Sequence, residues 1–232
     1  MKIIRKYSTL QYISDIHLEM RNNTFPRIPI RSNYLALLGD IGDPKEQNYE
    51  DFLRYTSYNF DRILLIAGNH EYWRTGQNTD NTISKIITKF NNIEFLNNSQ
   101  THLEKYTVLG TTLWSNTKMP KQKACFDKSL NWLENEIKLA TKPVIVLTHH
   151  LPSYKLVVPE YWNKKYDDVR DRFASDLDYL MIDKVKIWLC GHSHCQIEMK
   201  INSTLCGINA FGYPNEYIKN EKDIVRIVKL QT

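Results

Sequence analysis

YLALLGD, at residues 34–40, is a short apolar run that ends in a glycine and an aspartate. A continuous apolar run of this length, bounded by a turn residue, predicts a strand that is buried on both faces. The carboxyl ends of parallel strands meet at one edge of an α/β sheet, where ligands bind. An apolar run followed by Asp, Asn or His recurs along the chain, with the runs at 10–13, 34–38, 63–67, 144–147 and 185–190. We therefore expect an α/β fold that brings these polar residues together.

The segments between these runs predict helices, at 47–58, 79–90, 121–140 and 170–182. The third is the clearest, because Phe126, Leu130 and Leu133 repeat at helical spacing. The tail predicts strands without intervening helices, at 196–201, 204–208 and 224–229. No linker or repeat divides the chain, so we expect residues 1–232 to form one domain. The long aromatic connection at 151–169 is a candidate lid or substrate loop.

The composition is that of a soluble globular protein, with 42% hydrophobic residues and only 8 glycines, and it excludes collagen, coiled coils and disordered chains. The net charge of +5 is compatible with an anionic substrate but does not require nucleic acid. No apolar run is long enough for a membrane helix, and the early charges at Met1–Lys6 are unlike a secretory signal. The 4 cysteines are too few for a disulfide framework. We expect a cytoplasmic protein with reduced thiols and no membrane partner.

The polar residues at the strand ends are of the types that bind transition metals. Carboxylate, amide and imidazole groups together suit Mn, Fe or Zn better than Ca or Cu(I). Asp15 and His17 are spaced two residues apart, as are His192 and His194, which on a strand would place each pair on one face. The set is too large for one ion, and two-metal sites are suited to hydrolysis of phosphate esters. The candidate ligands are Asp15, His17, Asp40, Asn69, His149, His192 and His194.

Each motif has a simpler interpretation when it is taken alone. Gly-Asp is an ordinary turn signal, and Asn-His after a glycine could cap a helix. A compact zinc site made of Cys190, His192, His194 and Cys195 is disfavoured, because its spacing is not that of a zinc knuckle. Six of the 7 histidines lie in or beside the motifs, and this joint occurrence favours a metal centre.

The ordered set of motifs, Asp-x-His, Gly-Asp, Gly-Asn-His-Glu, His and Gly-His-x-His, resembles that of the calcineurin-like metallophosphoesterases. The motifs extend from residue 15 to residue 194, so the resemblance covers most of the chain. It implies a four-layer α/β/β/α sandwich of two mixed β-sheets flanked by helices, with the tail strands in the second sheet.

The resemblance also implies a role for each matching residue. The first metal ion would be held by Asp15, His17 and His194, and the second by Asn69, His149 and His192, with Asp40 bridging the two. The family's proton donor or transition-state clamp matches His70. Asp43 lies three residues after the bridging aspartate, where many members place the acid that orients this histidine. An ordinary turn before Pro44 is the alternative interpretation of Asp43.

The reaction implied is hydrolysis of a phosphomonoester or phosphodiester by a hydroxide that bridges two divalent ions. Residues 39–44 lack the Val-Asp-Arg-Gly continuation of protein phosphatases and of diadenosine-tetraphosphate hydrolases. We therefore expect a phosphodiesterase that acts on a small or nucleotide substrate. A nuclease of the same superfamily and a non-catalytic metal-binding scaffold are the alternatives, and nucleic acid is not the favoured partner.

Candidate substrate contacts lie beside the metal motifs. Arg74 could clamp a phosphate, and a solvated charge on a helix is the alternative interpretation of this residue. His150 directly follows a predicted ligand. Tyr72, Trp73 and Trp114 are aromatic candidates, although a buried core position is the commoner explanation for Trp114.

Overall fold

The computed structural model describes residues 8–157, 171–216 and 224–230. The strands in this part of the chain are β1 (Thr9–Ile13), β2 (Tyr34–Leu38), β3 (Arg62–Ile66), β4 (Ile93–Phe95), β5 (Ser99–Leu103), β6 (Tyr106–Thr111), β7 (Val144–Thr148), β8 (Val185–Cys190), β9 (Gln196–Ile201), β10 (Thr204–Asn209) and β11 (Arg226–Lys229). The α-helices with described bounds are α1 (Gln47–Asn59), α2 (Asn69–Thr75), α3 (Thr79–Ile87) and α4 (Pro120–Leu139).

The strands form two mixed sheets. The first sheet has the order β11-β1-β2-β3-β4, in which β1 to β4 are parallel and β11 is antiparallel. The second sheet has the order β5-β6-β7-β8-β10-β9, with parallel pairing from β6 to β10 and an antiparallel strand at each edge. The predicted second sheet is confirmed, and it includes the tail strands β9 and β10. The prediction is wrong for the third tail strand, because β11 pairs with β1 at the edge of the first sheet.

Apolar side chains fill three successive interfaces, which explains why the strand runs are apolar throughout. In β2, Leu35 and Leu37 pack on the helical side of the first sheet, together with Phe52 of α1. Ala36 and Leu38 point the other way, into the interface between the two sheets. The far side of the second sheet packs against α4 through its stripe Phe126, Leu133 and Ile137. The layers therefore run helix, sheet, sheet, helix, and the predicted α/β/β/α sandwich is confirmed.

Most of the predicted elements are confirmed. The structure has strands at all five predicted runs and in the tail, and helices at 47–58 and 121–140 within one residue at each end. The predicted helix at 79–90 ends at Ile87. Sequence patterns did not predict β4, β5 and β6, or the seven-residue helix α2. The prediction that residues 1–232 form one domain stays a prediction.

The predicted helix over 170–182 is wrong for the described residues of that segment. Helical structure stops at residue 173, Ala174 forms a bridge with Leu151, and a 3-10 turn follows at Asp178–Leu180. The backbone N–H groups of Ser175 and Leu177 donate to the carbonyls of Leu151 and Pro152. These bonds hold the segment against the loop that follows β7, so tertiary pairing outweighs its helical pattern.

The candidate lid at 151–169 falls largely outside the described residues. Only 151–157 is described, and it contains a 3-10 turn at Tyr154–Leu156.

Candidate metal centre

Five of the predicted ligands lie in sharp turns just beyond strand ends. Asp15, His17 and Asp40 have φ between 51° and 54°, and His192 and His194 have φ of 70° and 48°. Left-handed backbone is uncommon outside glycine and concentrates at functional sites. Both Asp-x-His and His-x-His lie past the last residue of their strands, β1 and β8. The prediction that each pair shares a strand face is therefore wrong, because turns rather than the pleat aim these side chains.

Asp40 lies at the centre of the cluster and is buried. Its Oδ2 lies 3.3 Å from Nε2 of His149, 3.8 Å from Nε2 of His70 and 4.0 Å from Nε2 of His17. Its Oδ1 accepts the backbone N–H of His70 at 2.8 Å. One oxygen is thus held by the backbone, and the other is surrounded by imidazole nitrogens. A carboxylate in these surroundings could be shared by two metal ions.

Three residues that could bind a metal ion converge on one side of Asp40. Nε2 of His17 lies 3.0 Å from Nε2 of His194, which in turn lies 3.6 Å from Oδ1 of Asp15. Asp15 is fixed by the backbone N–H of His192, 3.0 Å from both of its oxygens, and by the hydroxyl of Ser14. These donors come from the turns after β1 and β8, so the two sheets meet at this point.

A second set of donors lies on the other side of Asp40. Oδ1 of Asn69 is 3.0 Å from Nε2 of His149, and the rings of His149 and His192 are 5.0 Å apart. Asp15, His17 and His194 offer donor atoms within 4.8 Å of one another, as do Asp40, His149 and His192 and also His17, Asp40 and His70. The mixed nitrogen and oxygen donors fit divalent transition metals.

The compact zinc alternative has no support in the structure. None of the candidate clusters among the described residues contains a cysteine, and Cys190 packs in the apolar core behind the second sheet.

Three of the predicted histidine ligands form a hydrogen bond through the ring nitrogen that faces away from the cluster. Nδ1 of His149 donates to the carbonyl of Leu38 at 2.9 Å, and Nδ1 of His194 donates to Glu216 at 2.6 Å. Nε2 of His192 donates to the carbonyl of Arg172 at 3.3 Å. Such bonds fix the tautomer and the orientation of a metal-binding histidine. The other nitrogen of each ring is therefore directed to the centre, where it can bind an ion.

The buried carboxylate and imidazole groups of the centre alter one another's pKa. Burial opposes ionisation of Asp40, but His149, followed by His70 and His17, holds the pKa of this carboxyl well below its usual range. Burial likewise disfavours a charged His149, but Asp40 outweighs it and raises the pKa of His149 to about 9. Burial and the charge of His149 lower the pKa of His192 to about 3. The centre thus holds a buried carboxylate that attracts positive charge.

Two glycines allow the strand ends to approach each other closely. A Cβ on Gly68 would lie 2.2 Å from Oδ1 of Asp40, and a Cβ on Gly39 would lie 2.6 Å from Nδ1 of His149. Gly39 also has a φ of +84°. Glycine is required at both positions because any side chain would displace a central donor.

The Gly-Asn-His-Glu motif forms the start of α2. Gly68 is the N-cap, and the buried carboxylate of Glu71 accepts the backbone N–H groups of Gly68, Asp40 and Ile41 at 2.8–3.0 Å. Burial and the nearby charge of Asp40 raise the pKa of Glu71 above its usual range. Glu71 therefore ties the turn after β2 to the turn after β3.

His70 lies beside the predicted ligands, with its Nε2 edge toward Asp40. Its Nδ1 is 2.9 Å from Oε1 of Glu19, and the exposed ring of Trp73 stacks on it with a centroid distance of 3.5 Å. The carboxylate of Asp43 accepts the backbone N–H of Lys45 at 2.9 Å. The orienting role of Asp43 stays a prediction.

The candidate substrate contacts have different surroundings. His150 is buried, its ring lies 4.2 Å from that of His192, and burial lowers its pKa. The hydroxyl of Tyr72 donates to Asp80 at 2.7 Å, and Trp114 packs against Tyr72 with ring centroids 5.2 Å apart. The side chain of Arg74 lies outside the described residues.

Two adjoining cavities open over the centre. One, of about 360 Å³, is lined by Asp40, His70 and His194. The other, of about 440 Å³, extends toward the start of α4 and is lined by Ser115, Thr117, Lys118, Met119 and Gln122. The residues that line both are Asn69, Trp73, Arg172 and His192.

Sequence reasoning missed three residues at the centre, which are Glu19, Tyr213 and Glu216. The ring of Tyr213 packs 4.3 Å from that of His17 and 4.4 Å from that of His194. Tyr213 and Glu216 follow β10, a strand end that carries no Asp-His motif. Glu19 could have been found, because it continues the two-residue spacing of Asp15 and His17.

Comparisons with known proteins agree with this architecture. A relative, the uncharacterised protein L509 of Acanthamoeba polyphaga mimivirus, is 28% identical over an alignment 260 residues long, and the alignment covers 89% of this chain and 92% of that protein. The phosphopantetheinyl hydrolase PptH of Mycobacterium tuberculosis superposes with a TM-score of 0.73 at 12% identity, over 96% of each chain. The protein TT1561 of Thermus thermophilus gives a TM-score of 0.63 at 11% identity, over 97% of this chain and 99% of its own. At these identities the two structures show the fold alone.

No helix in the described part of the chain is long and apolar enough to cross a membrane. The sequence profile of the calcineurin-like phosphoesterases matches residues 12–196, a range that contains every predicted ligand and His70. The chain therefore belongs to the calcineurin-like phosphoesterase family.

Proposed function

We propose that this chain hydrolyses small phosphodiesters, including nucleotides, with two divalent ions of Mn, Fe or Zn. The observation that carries the proposal is the central position of Asp40 between two sets of donors, three on each side. The first set is Asp15, His17 and His194, and the second is Asn69, His149 and His192. Bound divalent ions at such a site polarise a phosphoryl oxygen and lower the pKa of a water molecule.

The protein's own groups would position the substrate and manage the proton of the leaving group. His70 directs Nε2 toward the cavity above Asp40, where it can protonate the departing oxygen. Asp40 and His149 attract each other across 3.3 Å in the absence of ions, so loading the centre requires that His149 gives up its proton. His150, which lines the adjoining cavity, is proposed as a substrate contact. Arg74 is proposed as a second one from its place in the sequence after the Gly-Asn-His-Glu motif.

The preference for a diester rests on the second cavity. A phosphodiester carries a substituent on each side of the phosphorus, and the adjoining cavity of about 440 Å³ gives room for the substituent that is not expelled. Its lining combines the cation Lys118, the amide of Gln122 and the apolar Met119. This mixture suits a small polar substituent better than a long polyanion, which needs an extended basic stripe.

The test is turnover of bis-nitrophenyl phosphate against mono-nitrophenyl phosphate, with Mn, Fe and Zn supplied separately. We expect faster turnover of the diester, and we expect Asp40→Ala to abolish turnover and to lower the bound metal. Asp127→Ala, which removes an exposed carboxylate on α4, is the matched control and should behave as the parent protein.

The alternatives predict other outcomes. A nuclease would show a steep loss of substrate binding as salt increases, because polyanion binding releases counterions. A non-catalytic scaffold would bind metal but turn over neither ester with any of the three metals, and this result would refute the proposed function.

A further inference from the structure

Glu19 is a nearly buried carboxylate that the sequence motifs do not include. It lies in the 3-10 turn Leu18–Met20 that follows His17, and its side chain is 11% exposed. Its Oε1 lies 3.0 Å from Nδ1 of His17 and 2.9 Å from Nδ1 of His70. A carboxylate oxygen has two lone pairs and can accept both N–H groups. One oxygen thus contacts a predicted metal ligand and the predicted proton donor at once.

This contact determines which edge each ring presents to the centre. When Nδ1–H of His17 points to Glu19, the ring's Nε2 carries the lone pair and faces Asp40 at 4.0 Å. When Nδ1–H of His70 points to the same oxygen, its Nε2 edge faces Asp40 at 3.8 Å and the cavity above it. The two ring centroids are 4.4 Å apart in an edge-to-face arrangement, so the rings pack directly against each other.

The second oxygen of Glu19 indicates that packing alone does not explain this residue. Oε2 is buried, and within the described parts of the chain it has no hydrogen-bond partner. A buried polar atom without a partner is destabilising, so a glutamate that served only the local fold would be a poor choice here. What Glu19 does satisfy is the pair of imidazole N–H groups.

We propose that Glu19 is a positioning residue that orients His17 and His70 together by accepting a hydrogen bond from each ring at one oxygen. At His70 it performs the orienting task that the family resemblance implies for Asp43. The inference rests on the proposed function only for the role of His70 in catalysis. The orientation of the two rings does not depend on any activity.

The first test is spectroscopic and uses metal-free protein. Proton–nitrogen correlation spectra of the histidine rings report which ring nitrogens carry a proton. We expect Nδ1–H for His17 and His70 in the parent protein and loss of this signature for both in Glu19→Ala. Glu19→Gln should keep it, because the amide oxygen remains an acceptor in the same place.

The second test distinguishes Glu19, which contacts two histidines, from a carboxylate that contacts only a predicted metal ligand. Glu216 accepts from Nδ1 of His194 at 2.6 Å and is the matched control. Glu19→Ala and Glu216→Ala should each weaken metal binding by about 10–100-fold in a metal titration. At saturating metal, only Glu19→Ala should make kcat depend more steeply on the basicity of the leaving group, since only Glu19 holds His70.

The outcomes are distinguishable from a failure of the proposed function. If the parent protein hydrolyses no phosphoester, the proposed function fails, while the spectra and the metal titration still test Glu19. If Glu19→Ala leaves both ring tautomers unchanged, the inference is overturned. It is also overturned if Glu19→Ala and Glu19→Gln lower the unfolding temperature equally and alter neither ring, because Glu19 would then be purely structural.

Discussion

Gly68→Ala should inactivate the protein through a single added methyl group. The new Cβ would lie 2.2 Å from Oδ1, 2.8 Å from Cγ and 2.5 Å from the backbone nitrogen of Asp40. Rotation of the Asp40 side chain cannot relieve the contact with its own backbone nitrogen. The turns after β2 and β3 must therefore separate, and Asp40 moves away from the donors that surround it.

The size of the effect follows from these distances. An ordinary contact begins at 3.4 Å, so the oxygen must move by about 1.2 Å. A misplacement of about 1 Å in a catalytic group costs about 100-fold in rate. Overpacking of this kind also destabilises a fold by roughly 1–3 kcal/mol, or about 2–12 °C in Tm for a chain of this size. We expect at least a 100-fold loss of kcat/KM with a fold that survives.

The matched control is Gly76→Ala, at the other end of α2. A Cβ there would meet nothing within 4 Å, but its φ of +55° strains any other residue. This strain costs roughly 1–3 kcal/mol, the same range as the cost at Gly68, without reaching the centre. The assay is kcat/KM, bound metal and Tm for both variants. If Gly68→Ala kept activity within a few-fold of Gly76→Ala, the reasoning from close approach would be refuted.

Further predictions concern the proton donor, the metal ions and the cysteines. His70→Ala should retain its metal but lose about 100–10,000-fold in rate on substrates with basic leaving groups, and much less on nitrophenyl esters, in a comparison of leaving groups. A chelator should abolish turnover, and restoring metal at 100 times its Kd should raise stability by about 2.7 kcal/mol for each site, measured as Tm. Burial raises the pKa of the Cys190 thiol and that of Cys206, the latter to about 12, so both should resist alkylation at mildly alkaline pH while exposed Cys125 reacts, as measured by mass spectrometry.

The strands and the members of the site could be predicted because their physical causes are local. A strand buried on both faces must be apolar throughout, and Leu35 to Leu38 of β2 show this directly. The glycines at the ends of these runs were also informative, because close approach at Gly39 and Gly68 leaves no room for a side chain. The predicted convergence of polar strand ends is what the structure shows around Asp40.

The parts that could not be predicted depend on contacts between distant segments. Tyr213 and Glu216 reach the centre because β10 pairs in parallel with β8, and no local pattern reports that pairing. The segment that begins at Ala174 loses its helical structure because it pairs with the loop after β7. The seven-residue helix α2 is too short to show a periodic apolar stripe, so the sequence indicated only a possible cap in the Gly-Asn-His motif.

The left-handed turns that hold the predicted metal ligands suggest a reason why aspartate and histidine occur at these positions. A residue other than glycine in the left-handed region costs roughly 1–2 kcal/mol, and five of the predicted ligands adopt it. Glycine at these positions would relieve the strain, so selection for stability alone would favour it. Aspartate and histidine at these positions are what the proposed metal-binding role predicts. Ions that bind only the folded state would offset part of this strain, so the proposed function predicts that the metal-free protein is the less stable form.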